Sequence, residues 1–269
     1  MGGREKLRVN GFQIYPDTGG KVLTILVINS KGGSGKTTLT TNLASYYASK
    51  KYRTAIMDYD PQGSSLHWLR VRPAHLNDIH GANAAPAKGG APLRSMQNWT
   101  PMDTEVLVID APAGTGGLLL KELVRKSNFI IIPVAPSPID IHASADFIKD
   151  LFLIGGARIT KAKIAVVANR VRNRSSPVYA SLERFLNSLK LPFLTSISDS
   201  ENYLHAVEKG MGVFDMEEAA TAAERQELAP ILKWLEGHFP NRFGVRADDK
   251  IVSLESSKKW AAYRVGGAS

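Results

Sequence analysis

A glycine-rich turn between an apolar run and a helical pattern constrains this chain more than any other feature. Val22 to Ile28 is a largely apolar run, and Leu39 to Ser49 has the spacing of a helix. Between them stands Lys31-Gly32-Gly33-Ser34-Gly35-Lys36-Thr37-Thr38. Strand, glycine loop and helix is the context in which a phosphate-binding loop is built. The pattern G-x-x-x-x-G-K-[ST] is met from Gly35 onward, with Asn29 or Ser30 in place of the first glycine. Glycines let backbone N–H groups turn inward around phosphate oxygens, and the helix N-terminus behind them adds its positive dipole end. On this chemistry the segment from Gly32 to Thr38 cradles the phosphates of ATP. Lys36 bridges the β- and γ-phosphates, and the Thr37 hydroxyl ligates Mg²⁺.

Acids at strand ends complete such a site, because a ligand of this architecture lies beyond the carboxyl ends of the strands. Asp110 closes the apolar run Val106-Leu107-Val108-Ile109 and is followed by Ala111-Pro112-Ala113-Gly114, a Walker-B-like arrangement that puts Asp110 on Mg²⁺. Gly114, Gly116 and Gly117 give the next loop freedom to respond to a γ-phosphate. A second acid pair, Asp58 and Asp60, ends the short apolar strand Arg53 to Met57 and precedes Pro61-Gln62-Gly63. Further strands are expected at Phe129 to Val134 and Ile164 to Ala168. Helices are expected at Ile139 to Ile154, Val178 to Leu189, Tyr203 to Lys209 and Glu217 to His238, the last with Leu228, Ile231, Leu232 and Leu235 on one face. Strands alternating with helices predict an α/β fold, a doubly wound and mostly parallel sheet with helices on both faces.

The whole string KGGSGKTT resembles the deviant Walker A loop of the ParA/MinD ATPases, P-loop NTPases of that architecture. The resemblance spans residues 22–238 and includes Asp58-Tyr59-Asp60-Pro61-Gln62-Gly63, Gly63-Ser64-Ser65-Leu66-His67-Trp68, Arg70-Val71-Arg72-Pro73 and Pro133-Val134-Ala135-Pro136-Ser137-Pro138-Ile139-Asp140. It points to the short, single-domain ParA branch. The resemblance implies that Lys31 reaches across a nucleotide-dependent sandwich homodimer to the partner's ATP. It implies that Asp60 positions the attacking water and that Asp58 has a Mg²⁺-shell or structural role. Asn169 and Arg170 resemble the family's adenine-contacting position. The implied activity is a slow, partner-stimulated ATP hydrolysis. In that scheme the ATP-bound dimer holds double-stranded DNA without sequence preference, and a cargo-bound ParB-like or adaptor protein releases it, so that a plasmid, chromosome region, carboxysome or other large complex is positioned. The protein is expected in the cytoplasm, on the nucleoid. Two departures stand out. The sequence reads as the branch expected without an N-terminal helix-turn-helix, and the stretch Asp199-Ser200-Glu201-Asn202, where the family often carries DNA-touching arginine, is acidic here.

Composition narrows the field. The chain has no cysteine, which excludes disulfides, thiolate metal sites and iron–sulfur clusters, including those of Cys-using relatives of this loop. Its six histidines show no metal-ligand spacing; His75 and His80 lie five apart, wrong for one helical face. A net charge of +9 favours a polyanionic partner. Between Arg158 and Lys190 the cations Arg158, Lys161, Lys163, Arg170, Arg172, Arg174, Arg184 and Lys190 face a single acid, Glu183. Arg158, Lys161, Arg172, Arg174, Arg184 and Lys190 are therefore the candidate DNA contacts, on a basic surface following the expected fifth strand. Residues 1–20 are expected as an arm or edge strand, 21–240 as the ATPase domain and 241–269 as a tail. Residues 71–104, rich in Ala, Pro, Gly and Asn, are expected as a surface excursion with little regular structure.

No run approaches the ~18 apolar residues of a membrane span. A MinD-like, membrane-associated positioning ATPase is the alternative. It needs an amphipathic C-terminal helix, and the segment Ser257 to Val265 has two aromatics but few large aliphatics. A kinase on the same loop is disfavoured by a tail with the single tyrosine Tyr263, and an adaptor with a dead loop by intact Lys36, Thr37, Asp60 and Asp110.

Overall fold

The computed structural model describes residues 7–9, 12–14, 22–86, 100–156 and 161–238, the first two segments as backbone. At the N-terminus β1 (Leu7–Val9) and β2 (Phe12–Ile14) form an antiparallel pair of their own, not an edge of the main sheet. The main sheet takes seven strands in the order β5-β4-β6-β3-β7-β8-β9, every neighbouring pair parallel. They are β3 (Leu23–Val27), β4 (Thr54–Asp58), β5 (Ile79–Asn83), β6 (Val106–Asp110), β7 (Phe129–Val134), β8 (Lys163–Val171) and β9 (Phe193–Ser198). The doubly wound expectation holds, and the sheet is wholly parallel.

Every residue of β3, β4, β6 and β7 is buried. Parallel strands covered on both faces read as unbroken apolar runs, which is why these four were visible in the sequence. Alternate residues serve opposite faces. Leu26, Met57, Ile109 and Ile132 join one apolar cluster with residues of α3 (Gly117–Lys126), α4 (Pro138–Leu153) and α5 (Pro177–Ser188). In α3 the triad Leu120, Leu123 and Val124 repeats at helical spacing and is fully buried, each side chain stabilising the fold by about 1.5–3 kcal/mol. The central helix α1 (Lys36–Ser49) is buried along most of its length, and its many small residues let it lie close to β3, β4 and β6. The remaining helices are α2 (Ser64–Arg70), α6 (Glu201–Glu208) and α7 (Ala222–Gly237).

Two expectations need correction. Residues 71–104 are not free of regular structure: β5 lies within them and pairs with β4 from Thr54↔Ile79 to Asp58↔Asn83. Its Gly81, read as a loop signal, is a packing position. A Cβ there would stand 2.7 Å from Leu69 Cδ1 and 3.0 Å from Leu66 Cδ2, so the glycine lets α2 settle on the strand. The strand β9 was not expected at all; three of its first residues are half-buried and its run is broken by Thr195, Ser196 and Ser198.

The chain divides into two compact units, 1–228 and 229–269, with α7 beginning in the first and ending in the second. In the described part of the second unit Ile231, Leu232 and Leu235 are buried, the helical face expected from the sequence. The expected tail at 241–269 lies outside the described residues.

Candidate active site

The strand order brings the chemistry to one sheet edge. Parallel pairing sets Val27 beside Asp110 and Asp110 beside Asp58, all at carboxyl ends. Lys31 to Gly35 leave β3 at this edge, and α1 starts at Lys36. Gly33 and Gly35 adopt φ of 77° and 85°, the left-handed region that suits glycine. At Gly35 glycine is also required sterically, since a Cβ would lie 2.0 Å from Asn169 Nδ2. Serine side chains cap α4, α5 and α6, accepting bonds from Asp140, Tyr179 and Asn202 N–H respectively. No side chain caps α1. Its first N–H groups are therefore left for a ligand, and its dipole favours an anion.

The loop is pinned from three sides. Asn29 Nδ2 donates to Pro133 O at 2.8 Å and to Ser144 Oγ at 2.9 Å, tying the loop's start to β7 and α4. Asn169, at the end of β8, donates from Nδ2 to Ser34 O at 2.8 Å. Arg170 Nη1 donates to Gly33 O at 3.2 Å. Expected at an adenine, Asn169 and Arg170 are seen here clamping the phosphate loop. In the sequence Asn29 stands only in place of a glycine; its anchoring role has no local signal, since the acceptors of its Nδ2 lie more than a hundred residues on. Gly114 N, in the loop after β6, donates to Ser30 O at 2.8 Å, so that loop touches the phosphate loop directly.

Lys36 Nζ donates to Lys31 O at 3.0 Å. Burial pulls the pKa of its ammonium down, while Asp110 and Asp60 push it back up, placing both acids within its field. Among the described residues no hydrogen bond or ion pair of the Lys31 side chain is found, and that side chain is half-buried at the rim.

The three acids differ in what their oxygens do. Asp58 is fully buried and accepts from Asp60 N, Ser65 N, Ser65 Oγ and Leu66 N. It holds the start of α2 through Oδ2 and the backbone of Asp60 through Oδ1, contacts that serve a structural role. Asp60 is half-buried and accepts from Gln62 N through Oδ1 at 2.9 Å. Asp110 is 1% exposed and neither carboxyl oxygen has a partner in good hydrogen-bond geometry, the Thr37 hydroxyl being the neighbour near enough to lower its pKa. Two acid oxygens with the Thr37 hydroxyl beside them are oxygen ligands of the kind a hard divalent cation takes, and Lys36 stands near them as a positive charge suited to phosphate. The residues thus fit Mg²⁺ held by Asp110 and Thr37.

Burial foremost, and then the Asp58 charge, push the Asp110 pKa from 3.8 to about 7; the Thr37 hydroxyl and Lys36 pull the other way. A raised acid favours the folded state while protonated. Its contribution is complete below its unfolded pKa and is lost as pH rises through about 7. The ligand-free protein is therefore expected to lose stability between about pH 4 and 7 relative to Asp110→Asn, read by thermal unfolding across that range. Mg²⁺–nucleotide should release a proton on binding near pH 6.5, seen by calorimetry in buffers of different ionisation heat. Absence of proton release in the wild type would remove Asp110 from the metal.

The candidate DNA contacts do not form one patch. Arg172 and Arg174 follow β8 at the nucleotide edge, whereas Lys161 precedes it and Lys190 precedes its parallel neighbour β9. A nine-residue strand separates the two ends by about 30 Å. Arg184 lies exposed along α5, and Arg158 falls outside the described residues. Three of the cations are paired: Arg170 and Arg172 meet Asp199, and Arg174 meets Glu227. Both acids lie beyond the basic stretch 158–190.

Comparison with known proteins agrees with this geometry. A model of the CobQ/CobB/MinD/ParA nucleotide binding domain matches residues 25–213. Over 203 residues the chain is 32% identical to maintenance of carboxysome distribution protein A of Halothiobacillus neapolitanus, covering 73% of this chain and 88% of that one. A putative plasmid partition protein of Borrelia burgdorferi bound to AMPPNP superposes with a TM-score of 0.61 at 17% identity, over 79% of this chain and 99% of that one. Apo McdA of Cyanothece does so with 0.60 at 14% identity, over 79% and 99%. At these identities the two structures share the fold with this chain. The resemblance carried by Lys31 to Thr38, Asp60 and Asp110 therefore stands on the matched domain and the carboxysome-distribution relative, and the chain belongs to the CobQ/CobB/MinD/ParA nucleotide-binding family.

Proposed function

We propose that this chain is a ParA-type positioning ATPase. It binds ATP with Mg²⁺, closes into a sandwich dimer, holds double-stranded DNA without reading its sequence, and hydrolyses ATP when a cargo-bound partner protein stimulates it. The observation that carries this reading is the convergence, at one sheet edge, of an uncapped helix behind a glycine loop, the buried Lys36, the rim lysine Lys31 and the acids Asp60 and Asp110. The relative named for carboxysome distribution makes a large cytoplasmic assembly one candidate cargo. No helix among the described residues is long and apolar enough to cross a membrane.

In this proposal the chain's own groups divide the work. Open N–H groups of the loop and of the first turn of α1 hold phosphate oxygens. Lys36 leaves the Lys31 carbonyl for the phosphates. Mg²⁺, when bound by Thr37 and Asp110, neutralises charge on the phosphates. Asp60 orients the attacking water. The test is ATP hydrolysis measured alone, with non-specific duplex DNA, and with DNA plus the protein encoded next to this one. Stimulation by the pair is expected; a rate indifferent to both would refute the positioning role while leaving a plain ATPase.

The two lysines should separate. Lys36→Ala removes a charged donor to phosphate and should weaken nucleotide binding roughly 10- to 100-fold. Lys31→Ala should leave monomer affinity for nucleotide unchanged and abolish ATP-dependent dimers and stimulated turnover. A fluorescent-nucleotide titration and sizing in Mg²⁺–ATP check both. Wild-type stimulated hydrolysis by the Lys31 variant would sink the sandwich dimer.

A further inference from the structure

At the mouth of the nucleotide site a single carboxylate holds two arginines. Asp199, just beyond β9, accepts from Arg170 Nε through Oδ1 at 3.2 Å and from Arg172 Nε through Oδ2 at 2.8 Å. The Arg172 side chain is 81% exposed and that of Arg170 49% exposed, against 24% for Asp199. Arg172 first, then Arg170, hold the Asp199 carboxyl below its usual range. Arg170 has a second bond, to Gly33 O of the phosphate loop. Its backbone sits at φ 58°, a conformation that a residue with a Cβ keeps only where its surroundings fix it.

Such pairs do little for the fold. Exposed ion pairs are nearly neutral in stability, because water screens them and ordering two long side chains opposes them. What the arrangement does is occupy donors. Two acid oxygens laid across two guanidinium groups offer what two oxygens of a backbone phosphate offer. A phosphate that seeks the Nε edge of Arg172 competes with Asp199 for it, and Asp199 neutralises part of the charge that would draw a polyanion.

We infer that Asp199 is a resident mimic of a DNA backbone phosphate, masking Arg170 and Arg172 until a duplex displaces it, and that through Arg170 this exchange is coupled to the phosphate loop. The inference rests on the DNA-binding reading above. A duplex phosphate that takes Arg172 frees Asp199 Oδ2, and one that reaches Arg170 as well frees Oδ1. The hold of Arg170 on Gly33 O then changes with it. By linkage, ATP and duplex alter each other's affinity by one common factor.

Asp199→Asn tests this. The substitution keeps size and the backbone bond from Asp199 N to Val171 O, and removes the charge. Binding of a short mixed-sequence duplex is followed by fluorescence anisotropy in ADP and in ATP. The variant should bind roughly 3- to 10-fold more tightly in ADP, the scale of two exposed pairs released. Arg172→Ala in the same background should erase the gain. The factor by which duplex shifts ATP affinity should shrink toward one. A wild type that binds duplex in ATP beside a variant of unchanged or weaker affinity overturns the mimic and leaves the DNA reading intact. A wild type that fails to bind duplex in ATP overturns both. A gain seen with anionic vesicles and not with duplex overturns the inference as well.

Discussion

Asp60→Ala should hydrolyse ATP about 10²- to 10⁴-fold more slowly than the wild type while binding it as tightly. The structure separates the two effects. Asp60 neither anchors the loop nor caps α1; its Oδ1 takes Gln62 N and its backbone N–H is held by Asp58. Its carboxylate lies in the fields of Lys36 and Asp110. Removing a negative charge near the phosphates does not weaken ATP. It removes a group that matters when water attacks, so the loss falls on the rate. The variant should accumulate as an ATP-bound dimer. Single-turnover hydrolysis and a nucleotide titration read the two quantities separately. Asp58→Ala is the contrast: it strips the start of α2 of its acceptor and should lower stability along with activity. Wild-type turnover by Asp60→Ala would move the water-positioning role to another residue.

The distinction between Asp58 and Asp60 shows where sequence reading stops. Both acids, Asp110 and the whole run from Lys31 to Thr38 were legible, because their chemistry is local in the chain and follows buried strands with unbroken apolar runs. Which acid would be spent on backbone donors was not legible, since it depends on how α2 turns back over β4. The strands β5 and β9 were hidden for a related reason. At the sheet's margins, Ile79 to Asn83 and Phe193 to Ser198 are not covered on both faces, so they carry Gly, Asn, Thr and Ser without penalty. Long-range pairing was hidden altogether. A window from 158 to 190 shows eight cations and one acid. Folding brings in Asp199 and Glu227, so three of the cations that read as free charge, Arg170, Arg172 and Arg174, are paired.

The same blindness to distant partners covers the bond that fastens α2, and here the largest loss of stability is expected. Arg72 and Asp215 are 143 residues apart and form a two-pronged pair at 2.8 and 3.1 Å, with side chains 5% and 3% exposed. Asp215 Oδ2 also accepts from Ser45 Oγ in α1 and from Gly212 N. Arg72 donates onward to Gly210 O and Asn77 O and lies over the Trp68 ring at 5.3 Å, while Trp68 Nε1 donates to Met211 O. Every charge here is buried and answered, so deleting one leaves the other stranded. Asp215→Ala should cost about 3–5 kcal/mol, and Arg72→Ala a similar amount. The double variant should lose much less than the sum, because neither charge is then left alone. Chemical denaturation of the four proteins gives the coupling directly. Full additivity would mean that the pair is incidental. A large coupling means that α2, and with it the loop carrying Asp60, is held in place by residues that close the far end of the chain's first unit. Asp60 can then act from a half-buried loop because the helix behind it cannot move.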